Sequence, residues 1–220
     1  MTARERILSR VRAAAHGGMS SEHRAAAVNE RLRARPISPR PGITGNLAGL
    51  FRDKAQRLST TSADVPSMQS VPAAVAAYLQ SNHLPMCAVC WKALGALDWV
   101  NHGILVDERP ATDADLVGIT EVFCAIAETG TLMTLSGVHT PAVSSLLPET
   151  HIAVLRVSQI VPAMEEAWQR LRYTYGEMPR AVNFISGPSR TSDIEQTLTL
   201  GAHGPYRVHV IIVSEGDNCA

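Results

Sequence analysis

Seven short apolar runs, separated by stretches of helical periodicity, constrain this chain more than any other feature. They span 86–91, 103–106, 116–119, 131–135, 152–157, 181–186 and 208–213. Their length and β-branched content suit strands buried on both faces. Between two of them, Val161, Met164, Trp168 and Leu171 recur at helical spacing, with Pro162 in the first turn. Leu47, Leu50, Phe51 and Leu58 fit a further helix, as does the stretch 71–80. Strand, helix and strand in this order predict right-handed crossovers and a mostly parallel sheet flanked by helices, an α/β domain. Apolar residues make up 45% of the 220, enough to bury a sizeable core, so disorder of the body is not expected.

The first forty residues read differently. Thr2-Ala3-Arg4-Glu5 has capping-box spacing, and Ile7, Leu8, Val11, Ala14 and Ala15 share one helical face, with Gly17 and Gly18 as the stop. A second basic helix is expected over 22–35, with Val28 and Leu32 on its weakly apolar side. Pro36, Pro39, Pro41 and Gly42 then form a breaker-rich linker. The expected division is a basic N-terminal helical arm with its linker over 1–42 and an α/β domain over 43–220. Net charge is zero, yet residues 1–57 carry a balance of +8 and residues 58–220 one of −8. Such an arm could meet an acidic partner, a nucleic acid or the chain's own acidic body, or it is a solvated Arg-rich helical face. No DNA-binding motif accompanies it, so nucleic acid is not the expected partner.

Several function classes are excluded on composition. No stretch approaches the ~20 apolar residues of a membrane span, and the N-terminus lacks the apolar core of a secretory signal. Cys87, Cys90, Cys124 and Cys219 form no disulfide framework, so a reduced, cytoplasmic setting is expected. Cys87-Ala88-Val89-Cys90 is a single CxxC inside an expected buried strand, which turns its two thiols to opposite faces. With no HExxH, no clustered histidines and no familiar iron–sulfur run, no metal site or cofactor is expected within the chain. The hydrolase elbow GxSxG, the P-loop and GxGxxG are also missing.

Three polar segments carry the candidate chemistry, each at a strand end, where open α/β sheets place ligands. In the first, Glu128, Thr129, Gly130 and Thr131 offer a tight turn with hydroxyls and one carboxylate able to act as base or nucleophile. In the second, Gly187, Pro188, Ser189, Arg190 and Thr191 leave a strand. Ser192-Asp193-Ile194-Glu195 then has capping-box spacing, so a helix start that holds an anion, with Arg190 adding a bidentate contact, is one reading. An ordinary strand-to-helix turn is the other. In the third, His203 and Gly204 form a turn before the last strand, where His203 is a general acid or base, or a turn histidine bonded to backbone.

Taken together, Leu116-Val117-Gly118-Ile119-Thr120, CAIAETGTLMTLSG at 124–137, SLLPETHIAVL at 145–155 and ISGPSRTSDIEQTLTLGAHGPYRVHVIIV at 185–213 resemble the LUD domain family, and within it the LutC-like branch. These strings cover about half the chain. The resemblance implies a fold similar to the NagB/RpiA/CoA-transferase-like class. It also implies a role in oxidising L-lactate to pyruvate beside partner subunits that hold iron–sulfur clusters. As site residues it implies Glu128, in a catalytic role by fold analogy, with Thr129, Gly130, Thr131, Gly187, Pro188, Ser189, Arg190, Thr191, Asp193, Glu195, His203 and Gly204 as ligand-binding positions. An accessory or co-catalytic subunit is the expected role. The alternative is a stand-alone enzyme or binding protein for a phosphorylated or CoA-linked small molecule.

Overall fold

A computed structural model describes residues 2–16, 20–37, 39–40, 42–191, 199–200 and 203–214. Cys219, Asp193 and Glu195 lie outside the described residues. The chain separates into two compact units, Met1–Gly42 and Ile43–Ala220.

The first unit holds α1 (Ala3–His16) and α2 (Ser21–Ala34). The capping box at the start of α1 is formed: the Thr2 N–H donates to Glu5 Oε2 at 2.7 Å, and the Glu5 N–H donates to Thr2 Oγ1 at 3.2 Å. Helix α2 starts from Ser20, whose hydroxyl accepts the His23 N–H.

In chain order the second unit contains α3 (Leu47–Arg57), β1 (Thr61–Val65), α4 (Val71–Ser81), β2 (Cys87–Cys90), α5 (Lys92–Gly95) and β3 (Leu105–Asp107). Then come β4 (Val117–Glu121), β5 (Cys124–Ile126), β6 (Thr131–Leu135), α6 (Val143–Leu146), β7 (Thr150–Arg156) and β8 (Ile160–Val161). The rest is α7 (Met164–Thr174), β9 (Val182–Ile185), β10 (Arg190–Thr191), β11 (Thr199–Leu200) and β12 (Arg207–Val213). No described helix is long and apolar enough to cross a membrane.

Six strands form one parallel sheet in the order β1-β12-β7-β4-β2-β3. Alternation sorts its side chains onto two faces. Val117, Ile119, Ile152, Val154, Ile211 and Val213 pack with Val71, Val75 and Leu79 of α4. Ala153, Leu155, Val208, Val210 and Ile212 face Phe51 and Ala55 of α3 and a second sheet. Because both faces are covered, β12 reads as an almost unbroken apolar run.

The second sheet, β8-β5-β6-β9, pairs β5 with β6 and β6 with β9 antiparallel. Its inner face (Ala125, Leu132, Ile185) meets α3 and the parallel sheet. Its outer face (Cys124, Ile126, Met133, Leu135) meets Ala167 and Leu171 of α7. The fold is therefore α/β, with a mostly parallel sheet flanked by helices.

All seven apolar runs contribute strands, but 131–135 and 181–186 supply β6 and β9 of the second sheet. The run 103–106 gives only Leu105 and Val106 to β3, an edge strand that is largely exposed and not buried as expected. Apolar content marks a strand without saying which sheet it joins or whether it lies at an edge. The edge strand β1, Thr61-Ser62-Ala63-Asp64-Val65, escapes an apolar reading because one side is polar: Arg52 of α3 pairs with Asp64 at 2.5 Å. Helix α7 begins at Met164 and leaves Val161 in β8, because Glu166 Oε2 accepts the Ala163 N–H at 3.2 Å and sets the start. In β2, Cys90 is buried and Cys87 exposed, so the two thiols part as alternation requires, although Cys87 is not the buried residue expected.

Candidate functional site

The segment carrying Glu128, Thr129, Gly130 and Thr131 is the hairpin turn from β5 to β6, so it belongs to the second sheet and not to a parallel strand end. Gly130 has φ +68°, and a Cβ there would lie 2.4 Å from the Ala55 amide nitrogen of α3. Gly187, just beyond β9, has φ +83°, and its Cβ would lie 2.3 Å from the Leu58 carbonyl oxygen. Both glycines thus let backbone press against the C-terminal end of α3. The two segments also touch each other: Thr131 Oγ1 lies 2.7 Å from Thr129 Oγ1 and 2.8 Å from Ser186 Oγ. Glu128 is half-buried, and its N–H donates to the Pro162 carbonyl at 3.0 Å.

Ser189 joins the third segment to the second. Its N–H donates to the Pro205 carbonyl at 2.8 Å, and its hydroxyl accepts the His203 N–H at 3.3 Å. Gly204 sits against it, a Cβ there meeting Ser189 Cβ at 3.4 Å. His203 itself is exposed. The helix start expected at Ser192-Asp193-Ile194-Glu195 lies outside the described residues; just before it Arg190 and Thr191 form β10, paired antiparallel with Thr199 and Leu200 of β11.

Pro188 and Arg190 open onto a cavity of about 400 Å³. It lies where β1 and β12 begin, at the amino ends of the parallel strands, whereas open sheets bind ligands at the carboxyl ends. Ser59 and Thr61 line it from the α3–β1 junction, Tyr78 and Asn82 from the end of α4, and Tyr206 and Arg207 from the start of β12. Arg190 donates to Ser59 Oγ and, at 3.4 Å, to the Leu58 carbonyl, so its fork serves the end of α3 as well as the cavity. The Arg207 guanidinium lies over the Tyr206 ring, 4.8 Å from its centroid. Among the described residues no carboxylate pairs with Arg190 or Arg207. The chemistry on offer is two guanidiniums and a set of neutral hydroxyls, which suits an oxyanion.

Behind the cavity wall lies His209, in register with Thr61 across the β1–β12 pair. Its Nδ1 is 2.7 Å from Thr61 Oγ1. Its ring stacks on Tyr78 with centroids 3.9 Å apart and planes 15° from parallel. Burial lowers the His209 pKa to about 4 and keeps the ring neutral. Burial also raises the Tyr78 phenol above its ordinary value. A larger cavity of about 560 Å³, at the starts of β2, β3 and β4, has a mainly apolar lining. Its cation, Arg109, already donates to Asp115 from both terminal guanidinium nitrogens, each at 2.7 Å.

Of the candidate positions, the structure brings Pro188 and Arg190 to the cavity. Thr129, Gly130, Thr131, Gly187, Ser189, His203 and Gly204 form the scaffold beside it, and Glu128 is not among its lining residues. Sequence reasoning missed Ser59, Thr61, Tyr78, Asn82, Tyr206 and Arg207. One signal was present: in Arg207-Val208-His209-Val210, polar residues alternate with apolar ones at the start of an otherwise apolar strand.

Comparison with known proteins locates the chain among relatives. Residues 96–213 match the LUD domain. Lactate utilization protein C of Halalkalibacterium halodurans is 42% identical over 108 residues, covering 48% of this chain and 46% of that protein. Lactate utilization protein C of Bacillus subtilis is 35% identical over 136 residues, covering 56% and 57%. The chain thus spans about half the length of the curated relatives it matches. A DUF162 family protein from Deinococcus radiodurans shares the fold, with TM-score 0.56 and 24% identity over 79% of this chain and 100% of that one.

Proposed function

This chain belongs to the LUD domain family, and on that premise we propose that it serves bacterial L-lactate utilisation as an accessory or co-catalytic subunit that binds a small oxyanion. The relatives named lactate utilization protein C support the pathway. The observation that carries the chain's own part in it is the pair Arg190 and Arg207 on one cavity with no carboxylate paired to either among the described residues. L-lactate and pyruvate are both carboxylates at neutral pH, so paired guanidiniums suit substrate and product alike. Converting one to the other releases two electrons and two protons. In this reading the electrons pass to iron–sulfur clusters of partner subunits, while this chain binds the anion and Thr61, Ser59 and Tyr78 contribute hydrogen bonds.

The same donors fit a phosphoryl group, which sustains the second reading of a binding protein or enzyme for a phosphorylated or CoA-linked molecule. Calorimetric titration with L-lactate, pyruvate and inorganic phosphate separates the two. Saturable binding of L-lactate or pyruvate, at least tenfold weaker in Arg207→Ala, supports the lactate role. Binding of phosphate alone transfers the site to the second reading, and no binding of any of the three removes the anion site. Co-purification of a cysteine-rich iron–sulfur protein with the chain tests the partner assignment.

A further inference from the structure

We propose that His209 is a positioning residue that fixes the Thr61 hydroxyl as a hydrogen-bond donor into the cavity between Arg190 and Arg207. The inference rests on the oxyanion reading of that cavity and specifies how it selects its ligand. His209 is 4% exposed. Its polar contact is Thr61 Oγ1, 2.7 Å from Nδ1, and its flat stacking on Tyr78 supplies no partner in the ring plane. Nε2 is enclosed and meets no polar group among the described residues.

A neutral imidazole carries one N–H, on one nitrogen or the other. Placed on Nε2, that hydrogen is a buried donor without an acceptor, which forfeits a full hydrogen bond. Placed on Nδ1, it is satisfied by Thr61, and the atom left over is an unfilled lone pair, the less costly orphan. The favoured tautomer therefore donates from Nδ1 to Thr61 Oγ1. With its oxygen already accepting from the ring, Thr61 has no acceptor on His209 for its own hydrogen. Thr61 is exposed and lines the cavity beside the Tyr78 phenol oxygen, which is the other acceptor within its reach, so a ligand oxygen takes that hydrogen in competition with Tyr78. Two guanidiniums and one oriented hydroxyl then present donors to a ligand rich in acceptor oxygens, such as a carboxylate with a neighbouring oxygen.

The molecule contains its own comparison. His151, fully buried, makes the mirror-image contact, Nε2 to Thr120 Oγ1 at 2.8 Å, and leaves Nδ1 without a partner among the described residues. Its partner Thr120 is buried, so the same logic there produces a structural pair and no donor to a ligand. The two histidines should hold their hydrogens on opposite nitrogens.

Nitrogen NMR of the full chain, labelled at histidine and recorded near pH 7, reads the tautomer directly. The His209 resonances are identified as those displaced by Thr61→Val. A protonated, pyrrole-type Nδ1 and an unprotonated, pyridine-type Nε2 are expected. The reverse assignment overturns the inference even if oxyanions bind normally. In calorimetry, Thr61→Val should weaken binding of pyruvate or inorganic phosphate about tenfold, with Thr61→Ser restoring most of it. Equal affinity in Thr61→Val contradicts the donor role. If the wild-type chain binds none of L-lactate, pyruvate and inorganic phosphate, the oxyanion reading and this inference fall together, whereas the nitrogen signals alone distinguish a failure of the inference by itself.

Discussion

Gly130 and Gly187 show how residue chemistry and residue function part company. Each looked like part of a ligand turn, yet each has positive φ and lies where a Cβ would meet the backbone of α3 at 2.4 Å or less. Gly187→Ala should therefore lower stability by about 2–4 kcal/mol, from strain at the turn and displacement of Leu58. A urea midpoint close to wild type would contradict that packing role. The two arginines should also behave differently. Arg190→Ala removes bonds to Leu58 and Ser59 and should cost about 1 kcal/mol of stability without ligand. Arg207→Ala should leave the ligand-free midpoint within about 0.5 kcal/mol and abolish stabilisation by the anion.

His151 and His209 set the response to acid. Burial lowers both pKa values from 6.5 to about 4. Below 6.5 the unfolded chain takes up protons that the folded chain refuses, so their contribution is complete above that pH. It is lost progressively as pH falls from 6.5 toward 4, and each histidine accounts for on the order of 3 kcal/mol. Denaturation midpoints across pH 4–7 should fall on the acid side, and the slope should halve in a variant lacking one of the two. A flat profile between 4 and 6.5 would show that neither histidine is held neutral.

At the scale of elements, α3 organises the candidate site. It is wedged between the parallel sheet and the second sheet by Phe51 and Ala55, and its C-terminal end is gripped by Gly130, Gly187 and Arg190. Phe51→Ala should cost about 3–5 kcal/mol, because the ring is wholly buried between two sheets that cannot both close on the space. A loss below 1 kcal/mol in denaturant would mean that α3 is not the wedge. The helix was legible from the spacing of Leu47, Leu50 and Phe51, while its start is set by Asn46, whose Oδ1 accepts the Gly49 N–H at 2.9 Å. Its role between two sheets was not legible, since β6 and β9 carry the same apolar content as the parallel strands. The tight turn around Gly130 was read, but not as a hairpin, for a related reason: β5 spans only Cys124–Ile126, too short for a period to register.

On the scale of the whole molecule, the sequence made the α/β class and family legible through long-range repetition of apolar runs and through distinctive strings. The cavity was only half legible. Pro188 and Arg190 come from a segment that draws attention by composition, but Ser59, Thr61, Tyr78, Asn82 and Arg207 come from three other places in the chain. They meet because β1 and β12 run parallel and in register, with Thr61 opposite His209. That pairing joins residues nearly 150 positions apart and leaves no local trace. Its consequence is a cation-lined cavity at the amino ends of the strands, the edge that fold analogy leaves unexamined. The most direct test of its function is lactate-dependent growth of the native host after deletion of the gene and restoration with either wild type or Arg207→Ala at matched abundance. Wild type should restore growth on L-lactate and Arg207→Ala should not, while both strains grow equally on glucose; full restoration by Arg207→Ala would contradict the assignment of the Arg190–Arg207 cavity to lactate utilisation.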